Sequence, residues 1–368
     1  VQRSGEPGAD ASTLRIRGVA TFAGGDAADP LVLVDGIETS DYNNIDPNEI
    51  ESMAILKDAS STAVYGVRGA NGVIIITTKR GLKGKPQLTY SGNIAMTQFT
   101  DMRQTMRAYE YANAYNEARK YDSYISNSYS PKFSDEEIEK FRTGSDPIFY
   151  PDVDWYDLML KKSSMTTQHN INVSGGIDKV KYFASLGYYS QEGMFKATKL
   201  VDGFDPQSSY QRYNFRSNVD FEVNKNLTIK INLASQMETR KGAGNEGNTT
   251  TLMNSIAIAN PMSTPGILDG KIVALGTTKN NPLQTFYENG YRQDYRNHLT
   301  GSVGFTYKIP GIKGLGLKGT LSYENYYQHN QKYAKNPFVK YNIRRNDAGE
   351  IIFQPTGAEN PYSISESY

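Results

Sequence analysis

The run Asp46–Gly81, DPNEIESMAILKDASSTAVYGVRGANGVIIITTKRG, decides how this chain is read. It opens as a helix start: Asp46 as cap, Pro47 at the first helical position and Glu49 three residues after the cap. Asp58 is a second cap, for a short helix from Ala59 to Tyr65 that Gly66 stops. Gly66 to Gly72 is a tight link in which glycine permits positive φ. It lacks the Lys-Ser/Thr pair and the strand–loop–long-helix order of a phosphate site. Val73–Thr78 is a continuous apolar, β-branched run, the pattern of a strand covered on both faces. Upstream, Leu14–Arg17 and Leu31–Val34 read as short strands, the second closed by the turn Asp35-Gly36. Residues 1–86 are therefore a small mixed α/β unit.

From Gln87 the period changes to two. Leu88, Tyr90, Ile94 and Met96 alternate with Thr89, Ser91, Asn93 and Ala95. Further alternating segments begin near Asn170, Tyr182, Tyr213, Leu227, Leu299 and Leu315, about seven in all. The sharpest sets Tyr213, Phe215, Val219 and Phe221 against Asn214, Arg216, Asn218, Asp220 and Glu222. Short turns around Asp178, Lys225 and Gly311 alternate with long connections at about 100–166, 191–210, 240–292 and after 325. That rhythm is the wiring of a membrane barrel. An extracellular all-β domain also alternates, so periodicity leaves both architectures open. In a barrel the polar face lines the lumen, and Arg216, Asp220, Glu222, Lys230 and Lys308 would line a path or hold a plug. Helices are expected in the long connections at 103–123, Ser134–Phe141 and Thr250–Ala259.

Composition narrows the function classes. A hydrophobic content of 38% and a mean hydropathy of −0.58 suit a soluble two-domain protein, yet they also suit a barrel, where only alternate residues meet lipid. A net charge of +1 argues against nucleic acid as a partner. The absence of Cys rules out disulfides and thiol metal sites. The three His residues, His169, His298 and His329, are scattered, so no metal and no cofactor is expected. No nucleophile elbow or convergent acid–base pair appears, and the chain does not read as an enzyme. It opens on Val1-Gln2-Arg3 without a signal peptide, as a mature product or a fragment would.

The ordered set Ile16-Arg17-Gly18, Asp29–Gly36 and Asp46–Gly81 closely resembles the plug of TonB-dependent outer-membrane receptors, and specifically the SusC/RagA family of Bacteroidetes. The alternating segments that follow resemble the start of that family's wall. The resemblance implies an outer-membrane β-barrel of about 22 antiparallel strands with an N-terminal α/β plug in its lumen. Residues 1–86 would be most of the plug, and 87–368 the first part of the barrel with helix-bearing outer loops. It implies an outer-membrane location and import energised by TonB of the TonB–ExbB–ExbD complex. It also implies a SusD-like lipoprotein lid, contact with lipid and lipopolysaccharide, and a dimer of such pairs. The cargo would be an oligosaccharide or glycan fragment, or alternatively an oligopeptide. A non-transporting, carbohydrate-binding surface protein is the third reading. An incomplete wall does not close, and the signal peptide, the TonB-contacting box and the first plug residues of the family lie outside this sequence.

Plug-core and plug–barrel roles fall to Arg15, Arg17, Asp35, Gly36, Arg68, Gly69, Asn71 and Gly72. Arg15 and Arg17 would bond wall carboxylates or face solvent, and Arg68 would make an ion pair within the plug or to the barrel. Rings in the outer loops, Tyr124, Tyr129, Tyr150, Trp155, Tyr156, Tyr287 and Tyr291, are candidates for substrate or lid contact. Tyrosine also forms the interface girdles of any barrel, and the three roles are equally open.

Overall fold

The computed structural model describes residues 6–8, 16, 29–39, 42, 45–126, 128–196, 207–243, 249–275, 281–288, 290–312, 314–334, 340–356 and 363–367. The expected strand Leu14–Arg17, with Arg15 and Arg17, lies outside them apart from Ile16.

The N-terminal unit is a four-stranded sheet. Its strands β1 (Leu31–Val34), β2 (Ile37–Glu38), β3 (Ile50–Leu56) and β4 (Val73–Thr78) lie in the order β2-β1-β4-β3. β4 runs parallel to β1 and antiparallel to β3, so both its edges are paired. Val73, Ile74 and Ile76 are buried, and Ile74 and Ile76 join Val32 in the unit's core, which explains the unbroken apolar run. Asp35 and Gly36 make the two-residue β1–β2 turn with φ of 51° and 86°. Two positive φ values in succession match the twist of a hairpin and favour Asp-Gly there.

Local signals at Asp46 and Asp58 were only partly obeyed. The DPNE motif makes a single 3-10 turn, Pro47–Glu49, with the Asn48 N–H donating to Asp46 Oδ1 at 2.9 Å. The chain then extends at Ile50 into β3 instead of starting a helix. Pairing along β4 outweighs a helix start whose following residues lack a helical apolar stripe. The second expected helix is α1 (Ala59–Thr62), which tightens into 3-10 turns through Gly69 with Gly66 at φ 57°.

The second sheet has eight strands, one more than the alternation shows. They are β5 (Gly84–Thr97), β6 (Ser164–Gly176), β7 (Val180–Glu192), β8 (Ser209–Glu222), β9 (Leu227–Ala243), β12 (Tyr291–Lys308), β13 (Gly316–Ala334) and β16 (Ser363–Ser367). Each pairs antiparallel with the next. The sheet is inside out by the standards of a water-soluble protein. Leu88 is 73% exposed and Leu321 78%, while Asn170 is 0% exposed and Asn218 1%. This is the polarity of a wall with lipid outside and a plugged lumen inside. No helix among the described residues is long and apolar enough to cross a membrane.

On the outer face Tyr90, His169, Tyr188 and Tyr213 stack from strand to strand, with centroid separations of 6.1, 6.5 and 5.0 Å. Phe221 and Tyr307 mark the opposite margin. From Tyr213 to Val223 a strand rises ~33 Å, which a tilt of ~40° reduces to the ~25 Å of an apolar band. The strands continue beyond the Tyr213 level toward the long connections.

Those connections form a layer of their own. It holds α2 (Ala108–Ser126), α3 (Asp135–Thr143), α4 (Trp155–Met159), α5 (Thr249–Ala257) and α6 (Pro282–Glu288). It also holds a small sheet of β10 (Ile267–Leu268), β11 (Lys271–Ala274), β14 (Tyr341–Arg345) and β15 (Ile351–Pro355). α3 carries the capping box of Ser134 and Glu137. The parallel pairing of β11 with β14 joins the β9–β12 connection to the β13–β16 connection.

Candidate functional site between plug and wall

The N-terminal sheet sits against the lumen face of the wall, and polar contacts hold it there. Asp46 is buried; while Oδ1 caps its own turn, Oδ2 accepts from the Asn170 amide of β6 at 3.2 Å. Gly187 of β7 makes room, since a Cβ there would lie 3.0 Å from Asp46 Oδ2. Glu49, 2% exposed, accepts from Arg216 Nε of β8 at 2.7 Å. Burial pushes the Glu49 carboxyl above its ordinary range, with Arg216 pulling the other way. The Asn218 amide donates to Thr78 Oγ1 and to the Lys79 carbonyl, both at 2.8 Å. Arg80 donates to Asp220 at 2.5 Å and to Asn232 at 2.8 Å. Arg216, Asn218 and Asp220 are alternate residues of β8, so one polar edge grips three successive points of the plug.

Inside the plug, Asp35 bridges the hairpin to this grip. It accepts from the Thr78 N–H at 3.0 Å and from the Thr78 hydroxyl at 2.5 Å. A cavity of about 80 Å³, lined by both polar and apolar side chains, separates the β1–β2 hairpin from β9 and β12, with His298 and Thr300 on the far wall. Among the described residues, the side-chain hydrogen bonds that join Asp46, Glu49, Thr78 and Arg80 to the wall go to β6, β8 and β9. Farther toward the outer loops, Glu6 pairs with Arg240 and the Gly8 N–H donates to Gln191 at 3.2 Å. At the other end Lys83 pairs with Asp178 where the chain enters β5.

The residues singled out from sequence scatter. Arg68 pairs with Glu38 at 2.6 Å on the plug's exposed surface. A Cβ on Gly69 would meet the Thr62 carbonyl at 2.9 Å, Asn71 donates to the Asp29 carbonyl at 3.4 Å, and Gly72 has φ 95°. Each of these contacts lies within the plug. Trp155 and Tyr287, expected at a substrate or lid surface, are each 1% exposed and fill the core of the loop layer with Met159, Ile256 and Phe286. Trp155 Nε1 donates to the Asn260 carbonyl at 3.0 Å. Tyr291 lies flat on Tyr333 at 4.6 Å, Tyr150 meets Phe141 edge-on and Tyr156 is half-buried. Tyr124 and Tyr129 are exposed. From sequence, no plug–wall role falls to Arg80 or Asn170, Asp46 and Glu49 read as a helix start, and Asn218 stands on the polar face of its strand without being singled out. Among the described residues no His, Asp and Glu side chains gather into a metal-binding group.

Comparison with known proteins agrees with this geometry. The family model described as TonB-dependent Receptor Plug Domain matches residues 1–73. A TonB-dependent receptor of Formosa agariphila is 30% identical over 350 residues, 92% of this chain and 32% of the relative. The chain belongs to the TonB-dependent receptors. It is SusC/RagA-like within them: TonB-dependent receptor SusC of Bacteroides thetaiotaomicron is 28% identical over 210 residues, 54% of this chain and 18% of that protein. The structure of the RagAB peptide transporter superposes with a TM-score of 0.62 at 22% identity, over 83% of this chain and 36% of that one. The receptor chain spans about a third of the length of its Formosa relatives (32% and 30%). Such receptors reside in the outer membrane of Gram-negative Bacteroidetes, and they are transporters, not a class of enzymes.

Proposed function

We propose that this chain carries the gate and the first part of the wall of a TonB-dependent importer whose cargo is an oligosaccharide. The observation that carries this reading is the seating of the plug. Separate polar bonds, not a continuous apolar interface, hold the described part of the plug to the lumen face, and water fits behind its hairpin, so it can be displaced without unfolding the wall. No bond of the cargo is broken; the work is rearrangement of the plug by force transmitted through TonB. Arg68, Asp35, Gly36, Gly69, Asn71 and Gly72 then keep the plug intact as it moves. A SusD-like lipoprotein covers the vestibule, with Tyr124 and Tyr129 among the exposed rings available to it or to cargo. Oligopeptide import is the second reading, favoured by the likeness to the RagAB peptide transporter.

Uptake of labelled oligosaccharides by cells carrying the full-length receptor tests the proposal. Uptake should disappear on loss of TonB and on collapse of the proton gradient. Accumulation that persists without TonB would overturn the importer reading, and accumulation of peptides alone would select the second one.

A further inference from the structure

The junction between plug and wall is held differently from the middle of the plug. Lys79, Arg80 and Lys83 reach the wall through polar groups. The Lys79 carbonyl accepts from Asn218, Arg80 donates to Asp220 and Asn232, and Lys83 pairs with Asp178. Between them Gly81 is buried, while Leu82 beside it is 78% exposed. A Cβ on Gly81 would lie 2.7 Å from the Gly175 carbonyl oxygen, and closer still to the amide nitrogen and carbonyl oxygen of Tyr182. Side-chain parity explains how the backbones come so near. Lys181 and Phe183 of β7 share the lumen parity of Asp220 and Asn218, their partners on β8. Tyr182 between them takes the lipid-facing parity, and Gly175, its partner on β6, has no side chain. The lumen side of that pair is bare backbone, and Gly81 lies on it.

The wall cannot yield at this point. Tyr182 is paired with Gly175 on one side and with Val219 on the other, so β7 does not retreat without breaking two ladders. The outer end of the plug is different. A Cβ on Gly8 would also come too close to the wall, but the atoms it would meet belong to the Tyr210 ring. A ring can turn away about its side-chain bonds; a strand paired on both edges cannot. Gly187 of β7 makes room for the Asp46 side chain, not for plug backbone. Gly81 instead sets backbone against backbone.

We infer that Gly81 is the pivot of the gate, a positioning residue whose missing side chain seats the junction directly on β7. This packing, more than the ion pair of Arg80 and Asp220, places the last strand of the plug while the rest of the plug is pulled. A larger residue lifts the junction off β7 and carries Lys79 and Arg80 away from Asn218, Asp220 and Asn232. The pull rests on the importer reading; the seat on β7 does not.

The test measures how fast a short thiol-reactive crosslinker joins Arg80→Cys to Asp220→Cys in the full-length receptor at rest, without TonB. That thiol pair removes the ion pair, so its rate reads the packing at Gly81. Adding Gly81→Ala should slow the crosslink about tenfold or more, because the overpacking falls on backbone. Adding Leu82→Ala should leave the rate unchanged. A glycine inserted between Leu82 and Lys83 lengthens the link but keeps the seat, and should also leave the rate unchanged; it decides the matter if Gly81→Ala does not assemble. Joining of Asp46→Cys to Asn170→Cys should stay the same in all three, which separates a local lift from general loosening. In cells, engaging TonB should slow the Asp46–Asn170 crosslink and leave the Arg80–Asp220 one unchanged. An unaltered rate in Gly81→Ala, an equal loss at Asp46 and Asn170, a loss on inserting the glycine, or slowing of both crosslinks by TonB would each overturn the inference. If the unsubstituted receptor takes up no cargo with TonB present, the importer reading fails, while the rates at rest still decide the seat at Gly81.

Discussion

Glu49 reaches Arg216 with one carboxylate oxygen, while the other is buried with no hydrogen-bond partner among the described residues. The raised carboxyl pKa says the same thing: desolvation outweighs the attraction of the guanidinium. The pair therefore fixes the seat of the plug more than it stabilises it. Removing one partner leaves a buried charge alone. Arg216→Leu should cost about 3–5 kcal/mol of plug seating, whereas Arg216→Leu with Glu49→Leu should recover most of that loss. Denaturant titration of plug protection against protease in the full-length receptor, run as a double-mutant cycle, measures this; additive losses would sink it. Half of the pair was legible in sequence. Arg216 and Asp220 declared themselves as lumen residues because β8 alternates so cleanly. Asp46 and Glu49 did not, because a helix start and a polar seat use the same letters. Asp46 serves both, giving one oxygen to its own turn and the other to Asn170.

At the level of elements, legibility followed length. Strands of 13–19 residues with a steady period of two announced themselves, as did the short–long rhythm of their connections. β16, SISES, has a single large apolar residue, and β3 stood behind a stronger local signal. Trp155 was misplaced for a different reason: an aromatic in an outer connection looks the same whether it is a contact or a core residue. Its burial makes it the anchor of the loop layer. Trp155→Ala should destabilise that layer by about 3–5 kcal/mol and raise hydrogen exchange in α4, α5 and α6 without exposing β4. Parallel loss of protection in β4 would show that loops and plug are one unit. The wall itself makes a sharper demand. Ile231 faces lipid between Val219 and Val303, while Lys230 faces the lumen opposite Asp220. Ile231→Arg should cost about 2–4 kcal/mol of folding in lipid vesicles, and Lys230→Leu much less. Equal costs would mean the two faces had been assigned the wrong way round.

For the molecule as a whole, what matters is the order of the plug contacts along the chain. Glu6 meets Arg240 near the outer loops, Asp46 and Glu49 meet the middle of the wall, and Arg80 meets Asp220 only four residues before β5 begins at Gly84. Covalent continuity already holds the last contact close to the wall, whatever the rest of the plug does. A pull from the N-terminal side must therefore break the contacts at Asp46 and Glu49 to open a passage, but need not break the one at Arg80. The absence of Cys from these residues allows that to be tested with thiol pairs. Asp46→Cys with Asn170→Cys, joined by a short thiol-reactive crosslinker in the full-length receptor, should stop TonB-dependent uptake. Arg80→Cys with Asp220→Cys, joined in the same way, should leave most of it intact. Before crosslinking, both pairs should transport. Block by both crosslinks would mean that the plug leaves the lumen as a body down to Gly81, and block by neither would mean that cargo passes without moving the seat at Asp46. Only the split result fits a plug that opens from its N-terminal side while its last strand stays against β8.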